Sequence, residues 1–402
     1  MPSSRWKRRR PPTKGWNRAR ISARSSSGWT DLDLVPLAIL ALAALSLGLS
    51  AAAIRRDRPL CWRFTLPDPL PETGNGQFCT VLDHRPETGQ AHAPAIVPRE
   101  DGVSVLWFQG SAEAQPDVDI WGVDLRRQGD TWQASEPEPH LTRKGLGRAL
   151  EPHQLVVTLG NTMSHDGAPG HLLATVVSVG GWAMAAITDV TMSRDGPVTA
   201  SKLDLSPILN RSFLVKSPML AYEDGSYALP AYFEMGPTFG ALVRFDDAGR
   251  VRDRRWMRSR RAKVIQPMIV PLDAQRALAF LRDFDRSDVL WLSRTEDGGQ
   301  DWSAPEPTGH YNPSAPVAAL SLGDGRLLMA ANAEAASPDA LILSVSDDEG
   351  TSWREIHRLT GPGAMRYPML RRVGGEIVLV HSTGGKHGVA AHVFDAAWVA
   401  AR

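Results

Sequence analysis

The residues that could do chemistry recur at two equivalent places in an internal repeat. One set lies just before the proline that opens each repeat, and the other follows the second apolar segment. Together they supply carboxylates, cations and aromatic groups, which can donate or accept protons and hold a polar ligand. An ordinary solvated rim would also be polar, so the prediction rests on their convergence. The first set contains His92, Asn161, Lys216, Gln266 and Tyr367, and the second contains Glu113, Asp117, Trp182, Glu234, Arg282, Asn332 and His381.

The repeat is marked by a turn motif of the form Ser/Thr-x-Asp-x-Gly-x-x-Trp. Two copies are complete, TEDGGQDW at 295–302 and SDDEGTSW at 346–353, and worn copies stand at 193–196 and 245–249. In such a turn the aspartate bonds to backbone N–H groups, and the tryptophan packs between neighbouring sheets. A constant period of this length is typical of a β-propeller. The motif aspartates are 52, 50 and 51 residues apart, at Asp195, Asp247, Asp297 and Asp348.

Short apolar segments give the number of repeats. Each copy has a strand that opens at a proline, a turn and a second strand, and the second copy has Thr162 in place of the proline. Six copies predict an all-β, six-bladed β-propeller of four-stranded sheets, whose last blade closes by pairing the chain ends. Antiparallel order puts both sets of polar residues on one rim, here called the site rim. The aspartate turns then lie on the opposite rim, here called the Asp-turn rim, and are predicted to be structural.

The N-terminal region predicts a membrane anchor. The first 30 residues contain nine Lys or Arg and no acidic residue, and residues 34–54 contain no charge. This length and charge bias predict a transmembrane helix with a cytoplasmic N-terminus, and a propeller in the periplasm or extracellular space. The alternative is a signal peptide cleaved near the alanines at 51–53. We therefore predict a basic tail (1–33), an anchor (34–54), a juxtamembrane segment (55–88) and a propeller (89–402).

The remaining composition limits the partners. Beyond residue 54 there are 36 Lys or Arg and 42 Asp or Glu, so the sequence lacks a basic surface for nucleic acid. No metal-binding or cofactor motif is found, and the histidines at 381, 387 and 392 are interpreted as incidental. Because Cys61 and Cys79 are the only cysteines and both follow the anchor, we predict that they form a disulfide.

The chain resembles the sialidase (neuraminidase) superfamily of Asp-box propellers. The residues that carry the resemblance are the two complete turn motifs together with AHAPAIV, GSAEAQPDVDIW, VGGW, SPILNRSFLVKSP, LPAYFE, VIQP, YNP and RYPML, within residues 89–402. Sialidases hold the sugar carboxylate with three arginines. His92 takes the place of the first, Arg282 matches the second, and the third has no counterpart. The family nucleophile matches Tyr367, its glutamate helper falls near Gln266, and the acid/base loop offers Glu113 and Asp117.

The resemblance implies a glycoside hydrolase, and the missing arginines argue against sialic acid as its substrate. We therefore predict a membrane-anchored, exported hydrolase that acts on an envelope or extracellular glycan. Its predicted catalytic residues are Glu113, Asp117, Glu234 and Tyr367, and its predicted substrate-binding residues are His92, Asn161, Trp182, Lys216, Gln266, Arg282, Asn312 and Asn332. Two alternatives stay open, a non-catalytic glycan-binding or polysaccharide-assembly propeller and a protein-interaction propeller, because function depends on the site and not on the fold.

Overall fold

The computed structural model describes residues 31–56, 59–71, 74–129, 131–194, 196–206 and 210–402. Residues 1–30 of the predicted basic tail and Asp195 of a worn turn motif lie outside the described residues. The chain divides into two compact units, Met1–Pro59 and Leu60–Arg402. The first contains helix α1 (Asp31–Arg56), in which Val35–Ile54 is long and apolar enough for a membrane span, a criterion that a signal sequence also meets.

The second unit is the predicted six-bladed propeller. Its strands form six antiparallel sheets, and β1 (Phe78–His84) belongs to the last of them. Blade 1 contains β2 (Gln90–Arg99), β3 (Gly102–Gly110), β4 (Asp119–Gln128), β5 (Thr131–Ala134) and β6 (Glu138–Leu141). Blade 2 contains β7 (Thr158–Ser164), β8 (His171–Val177), β9 (Ala186–Ser193) and β10 (Gly196–Lys202). Blade 3 contains β11 (Phe213–Val215), β12 (Leu220–Ala221), β13 (Tyr227–Phe233), β14 (Phe239–Phe245) and β15 (Val251–Met257).

The second half of the ring repeats the same order. Blade 4 contains β16 (Val264–Pro271), β17 (Ala277–Asp283), β18 (Val289–Thr295) and β19 (Glu306–Tyr311). Blade 5 contains β20 (Ala318–Gly323), β21 (Arg326–Ala331), β22 (Leu341–Ser346) and β23 (Arg354–Leu359). Blade 6 contains β24 (Arg366–Val373), β25 (Glu376–Thr383), β26 (Gly388–Asp395) and β1. The described helices of this unit are short: α2 (Arg143–Ala149), a 3₁₀ turn (Trp182–Met184) and α3 (Ala396–Ala400).

The ring closes between the two ends of the chain, as predicted. Strand β1 pairs antiparallel with β26, from Phe78 opposite Phe394 to His84 opposite Val389. The propeller therefore begins before residue 89, and part of the expected juxtamembrane segment is its closing strand. This pairing completes the four strands of the last sheet and joins the start of the propeller to its end.

The innermost strands are irregular where they reach the site rim. The pairing register shifts between Ile265 and Met268 in β16 and between Arg366 and Met369 in β24. At these bulges Gln266 and Tyr367 have φ values of 53° and 57°. A left-handed conformation is unfavourable for such side chains, and a bulge changes the direction in which a side chain points. The fold thus sets both residues apart from the regular alternation of their strands.

The Asp turns have the predicted structural role. In blade 4, Asp297 Oδ1 accepts hydrogen bonds from Thr295 Oγ1 at 2.8 Å and from Asp301 N at 3.0 Å. Trp302 packs against the apolar cluster that contains Tyr222 and Leu242 of blade 3. In the worn turn of blade 3, Asp246, and not the predicted Asp247, accepts from Ala248 N and Arg250 N. The motif thus fixes its own turn and joins it to the preceding blade.

A segment that we call the strap, residues 60–70, lies on the Asp-turn rim. Phe64 is 1% exposed and bridges to Tyr222, and Thr65 N donates to Ala221 O at 2.9 Å in blade 3. Phe64 N also donates to Ala274 O of blade 4 at 2.7 Å. Farther along, Leu70 N donates to Leu322 O of blade 5 at 3.3 Å. The strap therefore joins three blades before the chain enters β1.

The predicted disulfide is wrong, since Cys61 and Cys79 are both free cysteines. Cys61 is in the strap, where its N–H donates to Asp224 Oδ2 at 3.0 Å and its carbonyl accepts from Arg244 Nη1 at 2.9 Å. Both partners are in blade 3. Cys79 lies in β1 opposite Val393, in blade 6. The backbone pairing of each segment holds the two cysteines on different blades.

Candidate functional site

Tyr367 is the residue around which the predicted site residues meet. Its hydroxyl oxygen accepts a hydrogen bond from Arg282 Nη1 at 3.2 Å and a longer one from Gln266 Nε2 at 3.5 Å. Arg282 Nη1 also donates to Gln266 Oε1 at 3.0 Å, so side chains from blades 4 and 6 form one closed network. Both donors stabilise negative charge on the phenol oxygen, which is the state in which a tyrosine attacks as a nucleophile.

The two predicted glutamates occupy different electrostatic environments. Glu234, just after β13, is half-buried, and burial raises the pKa of its carboxyl. Arg282 opposes this rise in pKa, and nearby Glu113 adds to it. Glu113 itself forms an ion pair with Lys386 across blades 1 and 6, while its N–H donates to Gln90 Oε1 at 2.8 Å. Glu234 is therefore the better proton carrier, since Glu113 must first leave its ion pair.

Lys216 brings a buried amine next to Tyr367. Its side chain is 3% exposed, its Nζ donates to Pro368 O at 2.9 Å, and Nζ lies 5.8 Å from the centroid of the Tyr367 ring. Burial lowers the pKa of Lys216 to about 7. The amine therefore changes its charge near neutral pH.

His92 packs against the ring of Tyr367. It is 1% exposed, and its ring centroid lies 4.4 Å from that of Tyr367 in an edge-to-face arrangement. Burial lowers its pKa well below the usual value, and Lys386, Lys216 and Arg282 add to the effect. Neither ring nitrogen has a hydrogen-bond partner among the described residues. A neutral imidazole offers one donor and one acceptor, so His92 suits a hydroxyl group better than a carboxylate.

Trp182 and Asn161 lie beside this group. Trp182 packs against an apolar cluster that includes Tyr232 and Ile265, so it forms part of the wall next to Gln266. Asn161 Nδ2 donates to Val215 O at 2.8 Å, which fixes the backbone just before Lys216.

The other predicted residues have local structural contacts. Asn332 is fully buried, and its Nδ2 donates to Ala340 O at 2.6 Å and to Met365 O at 2.9 Å, two residues before Tyr367. Asn312 is buried and accepts from Ala315 N at 2.8 Å. Asp117 is exposed, and its carboxylate accepts from Ser111 N and Ser111 Oγ, both at 3.0 Å. These contacts fix one side of each asparagine amide and tie Asp117 to its own loop. Asn332 Oδ1 and Asn312 Nδ2 have no partner among the described residues.

Three contributors were missed in the sequence. Tyr232 is buried and its hydroxyl accepts from Gln266 Nε2 at 3.3 Å, while Ser314 Oγ accepts from Arg282 Nε at 3.3 Å. Lys386 pairs with Glu113 from the turn after β25. Tyr232 stands two residues before Glu234, on the same face of the strand, and Lys386 follows the second strand of its blade. The positional rule used for the other candidates would have found both.

Within the described part of the chain, no group of three or more His, Cys, Asp or Glu is arranged to hold a metal ion.

Comparisons with known proteins identify the family and the fold of this chain. The model of the BNR repeat-like domain family matches residues 102–380. No curated protein matches the chain by sequence. A protein of unknown function from Dyadobacter fermentans is similar in structure, with a TM-score of 0.58, 15% identity, and coverage of 79% of this chain and 98% of that chain.

Two sialidases are also similar in structure. Trypanosoma rangeli sialidase has a TM-score of 0.59 at 10% identity, with 81% of this chain and 59% of that chain covered. NanB sialidase from Streptococcus pneumoniae has a TM-score of 0.55 at 11% identity, with 79% and 70% covered. The similarity spans only part of each sialidase, and at these identities it establishes the fold.

Proposed function

Because the chain belongs to the BNR repeat-like domain family and has the sialidase-like six-bladed fold, we propose that it is a glycoside hydrolase of an envelope or extracellular glycan. We further propose that α1 stays attached as a single-pass anchor and that the propeller works outside the cytoplasm. The observation that carries the enzymatic proposal is the hydroxyl of Tyr367, which receives hydrogen bonds from both Arg282 and Gln266.

In the proposed mechanism Tyr367 attacks or stabilises the anomeric carbon. Arg282 and Gln266 hold its oxygen in place and stabilise the negative charge that develops when the phenol loses its proton. Gln266 has no carboxylate and cannot take that proton, so the proton must pass to another group or to water. This separates the proposed chemistry from one that uses a tyrosine–glutamate pair.

Glu234 is the proposed general acid. The raised pKa of Glu234 keeps a larger fraction of this carboxyl protonated near neutral pH, as protonation of a leaving oxygen requires. Glu113 would act as a base or stabilising carboxylate once a substrate separates it from Lys386. Asp117, tied to Ser111, is the weaker candidate for the acid.

The charges of the site favour an acidic saccharide. Its acidic group would not be bound by three arginines, as sialidases bind the carboxylate of their sugar. Lys216, Arg282 and Lys386 surround His92, while Glu113 and Glu234 supply two negative charges at most. A neutral histidine stands at the place where the family has its first arginine, so the carboxylate clamp is not reproduced. The cations suit one acidic group, and His92 suits a hydroxyl of the same sugar.

The second candidate function is a non-catalytic glycan-binding propeller. It is favoured by Gln266 at the position of the family's glutamate helper and by the engagement of Glu113 with Lys386. Both features weaken proton transfer and leave the hydrogen-bonding surface intact.

The test is a screen of the full chain in detergent against a panel of acidic and neutral polysaccharides, with release of reducing ends and binding measured separately. Hydrolysis of a responsive glycan should fall at least about a hundredfold in Glu234→Gln and Tyr367→Phe, with binding largely kept. Asp117→Asn should have a much smaller effect. Binding without turnover in the unaltered protein would replace the enzymatic proposal with the second candidate, and neither binding nor turnover on any glycan would refute both.

A further inference from the structure

A cavity lies at the other end of the ring, away from Tyr367. It has a volume of about 830 Å³ and is lined by the ends of the innermost strands and the turns that follow them, on the Asp-turn rim. Residues 65–67 of the strap form part of its wall. Small-molecule sites in proteins have volumes of roughly 300–1,000 Å³, with apolar walls and a few convergent polar groups.

The wall of this cavity is mostly apolar. Leu172, Met219, Met268, Leu320 and Leu370 line it from five blades, and Leu66 of the strap lines it while 40% exposed. An exposed leucine over an apolar cavity gains free energy if an apolar group covers it. The body of a ligand that fits here is therefore apolar.

The polar groups of the wall carry an excess of positive charge. Three arginines and two acidic residues line the cavity, and Arg371 is paired with Asp166 through two hydrogen bonds, at 3.2 and 2.7 Å. Arg99 Nε donates to Ser104 Oγ at 2.8 Å, and Glu100 is exposed. One positive charge is thus in excess among the lining residues.

Two buried nitrogen atoms of this wall point to a ligand. His165 is 3% exposed, lines the cavity, and its Nδ1 makes no hydrogen bond to any described residue. Arg372 also lines the cavity, and its buried Nη1 likewise lacks a partner in the described chain, although Asp68 of the strap acts on its charge. Buried N–H groups without partners are rare because each loses its hydrogen bonds to water.

From these observations we propose that the Asp-turn rim contains a second binding site, for a small molecule with an apolar body and one anionic group. The apolar part lies between the innermost strands and Leu66, and the anion is bound by Arg372, with His165 as a second hydrogen-bonding group. The site does not depend on the function proposed for the site rim, since it shares none of the residues around Tyr367.

The experiment compares two probes of equal shape, 4-phenylbutyrate and 4-phenylbutanol, on the full chain in nanodiscs by calorimetry, with empty nanodiscs as the blank. The anion should bind about tenfold more tightly than the alcohol, because a charge-assisted hydrogen bond contributes that much. Arg372→Gln should remove the difference between the probes, and Leu320→Trp should weaken both by filling the apolar part.

Arg294→Gln, at an exposed arginine of β18 that does not line this cavity, is the matched control and should change neither affinity. If Arg372→Gln does not fold, the unaltered chain and Leu320→Trp still decide the question. Equal affinities for acid and alcohol in the unaltered chain would overturn the anionic part of the proposal. Affinities that Leu320→Trp leaves unchanged would overturn the site itself.

Discussion

At the site rim, the candidate residues of different blades bond to one another, whereas at the other rim the motif aspartate of each complete Asp turn bonds within its own turn. Tyr367 of blade 6 accepts from Arg282 of blade 4, and Lys386 of blade 6 pairs with Glu113 of blade 1. By contrast, Asp297 accepts from Thr295 and Asp301 of the same turn. An aspartate whose hydrogen bonds are internal to its turn stabilises the fold locally. The geometry of a site whose side chains come from several blades depends on how the whole ring is assembled.

Several unfavourable interactions lie at the site rim. Lys216 and His92 are buried close to other cations, and Gln266 and Tyr367 have left-handed backbone conformations. Such features lower stability and persist where they serve a function. On the Asp-turn rim the carboxylates of Asp246 and Asp273 have lowered pKa values, in spite of some burial, because backbone and arginine donors bond to them.

The largest expected effect is a loss of activity on substitution at the site rim, with no such loss at the Asp-turn rim. Tyr367→Phe should reduce the turnover of a responsive glycan by about 10³-fold or more, since the proposed nucleophile is lost, and should leave the melting temperature nearly unchanged. Tyr227→Phe, at the cavity on the Asp-turn rim, is the matched control. Equal activities for the two variants would contradict the assignment of the site to Tyr367.

The next largest effect is a loss of stability at acidic pH, caused by two buried histidines in blade 6, which closes the ring. His381 Nδ1 lies 3.1 Å from Ser382 O, and its Nε2 lies 3.0 Å from His392 Nε2, whose Nδ1 lies 3.0 Å from Thr80 Oγ1 of β1. Burial lowers the pKa of His381 to about 4 and that of His392 to about 3. Between pH 6.5 and 4 the unfolded chain therefore binds protons that the folded chain does not.

The free energy of unfolding should decrease as the pH falls through this window, by about 1.4 kcal/mol per pH unit for each histidine at most. Urea unfolding at pH 7 and pH 4.5 measures the loss. His392→Gln should flatten the dependence, and His84→Gln, at the other end of β1, should not. An identical dependence in His392→Gln and the unaltered protein would show that this pair is not responsible.

Lys216 provides a smaller effect, which is seen at higher pH. The pKa of this amine is about 7 in the folded chain and 10.5 when it is exposed. At pH 7 the unfolded chain therefore binds a proton at Lys216 that the folded chain binds only in part. Lys216→Met should therefore stabilise the fold at pH 7 by about 2–4 kcal/mol after loss of one hydrogen bond, and by less near pH 10. The same variant should bind acidic glycans more weakly. Lys202→Met, a half-buried lysine in blade 2, serves as the control, and a destabilised Lys216→Met would refute this account.

The smallest effect belongs to the Asp-turn rim. Asp297→Ala removes the acceptor for Thr295 Oγ1 and Asp301 N, so we expect a loss of about 1–2 kcal/mol in the free energy of unfolding. Activity per folded molecule should stay the same. A fall in activity larger than the loss of folded protein would mean that the two rims are coupled.

The fold was predictable from the sequence because the Asp turns are contiguous motifs, and their period counts the blades. Position within the repeat also predicted that Tyr367, Gln266 and Arg282 would meet. The sequence contains no comparable signal for which blade a segment outside the repeats contacts. Cys61 and Cys79 looked like partners because they are near in sequence, whereas backbone pairing puts them on different blades.

Residue type alone also did not separate ligand-facing side chains from supporting ones. Asn332 and Asn312 match the polar positions of the repeat, but burial turns Asn332 towards the carbonyls of Ala340 and Met365 and Asn312 towards the N–H of Ala315. Which way such an amide points is decided by neighbouring chain segments that the repeat pattern does not describe.

The strap also determines how a mechanical load reaches the propeller. It precedes β1 in the chain and is fastened at Cys61, Phe64 and Leu70 to blades 3, 4 and 5. A pull on the N-terminal helix would therefore be taken up by these contacts first. The β1–β26 seam, which holds the ring closed, would carry the load only after the strap had peeled away.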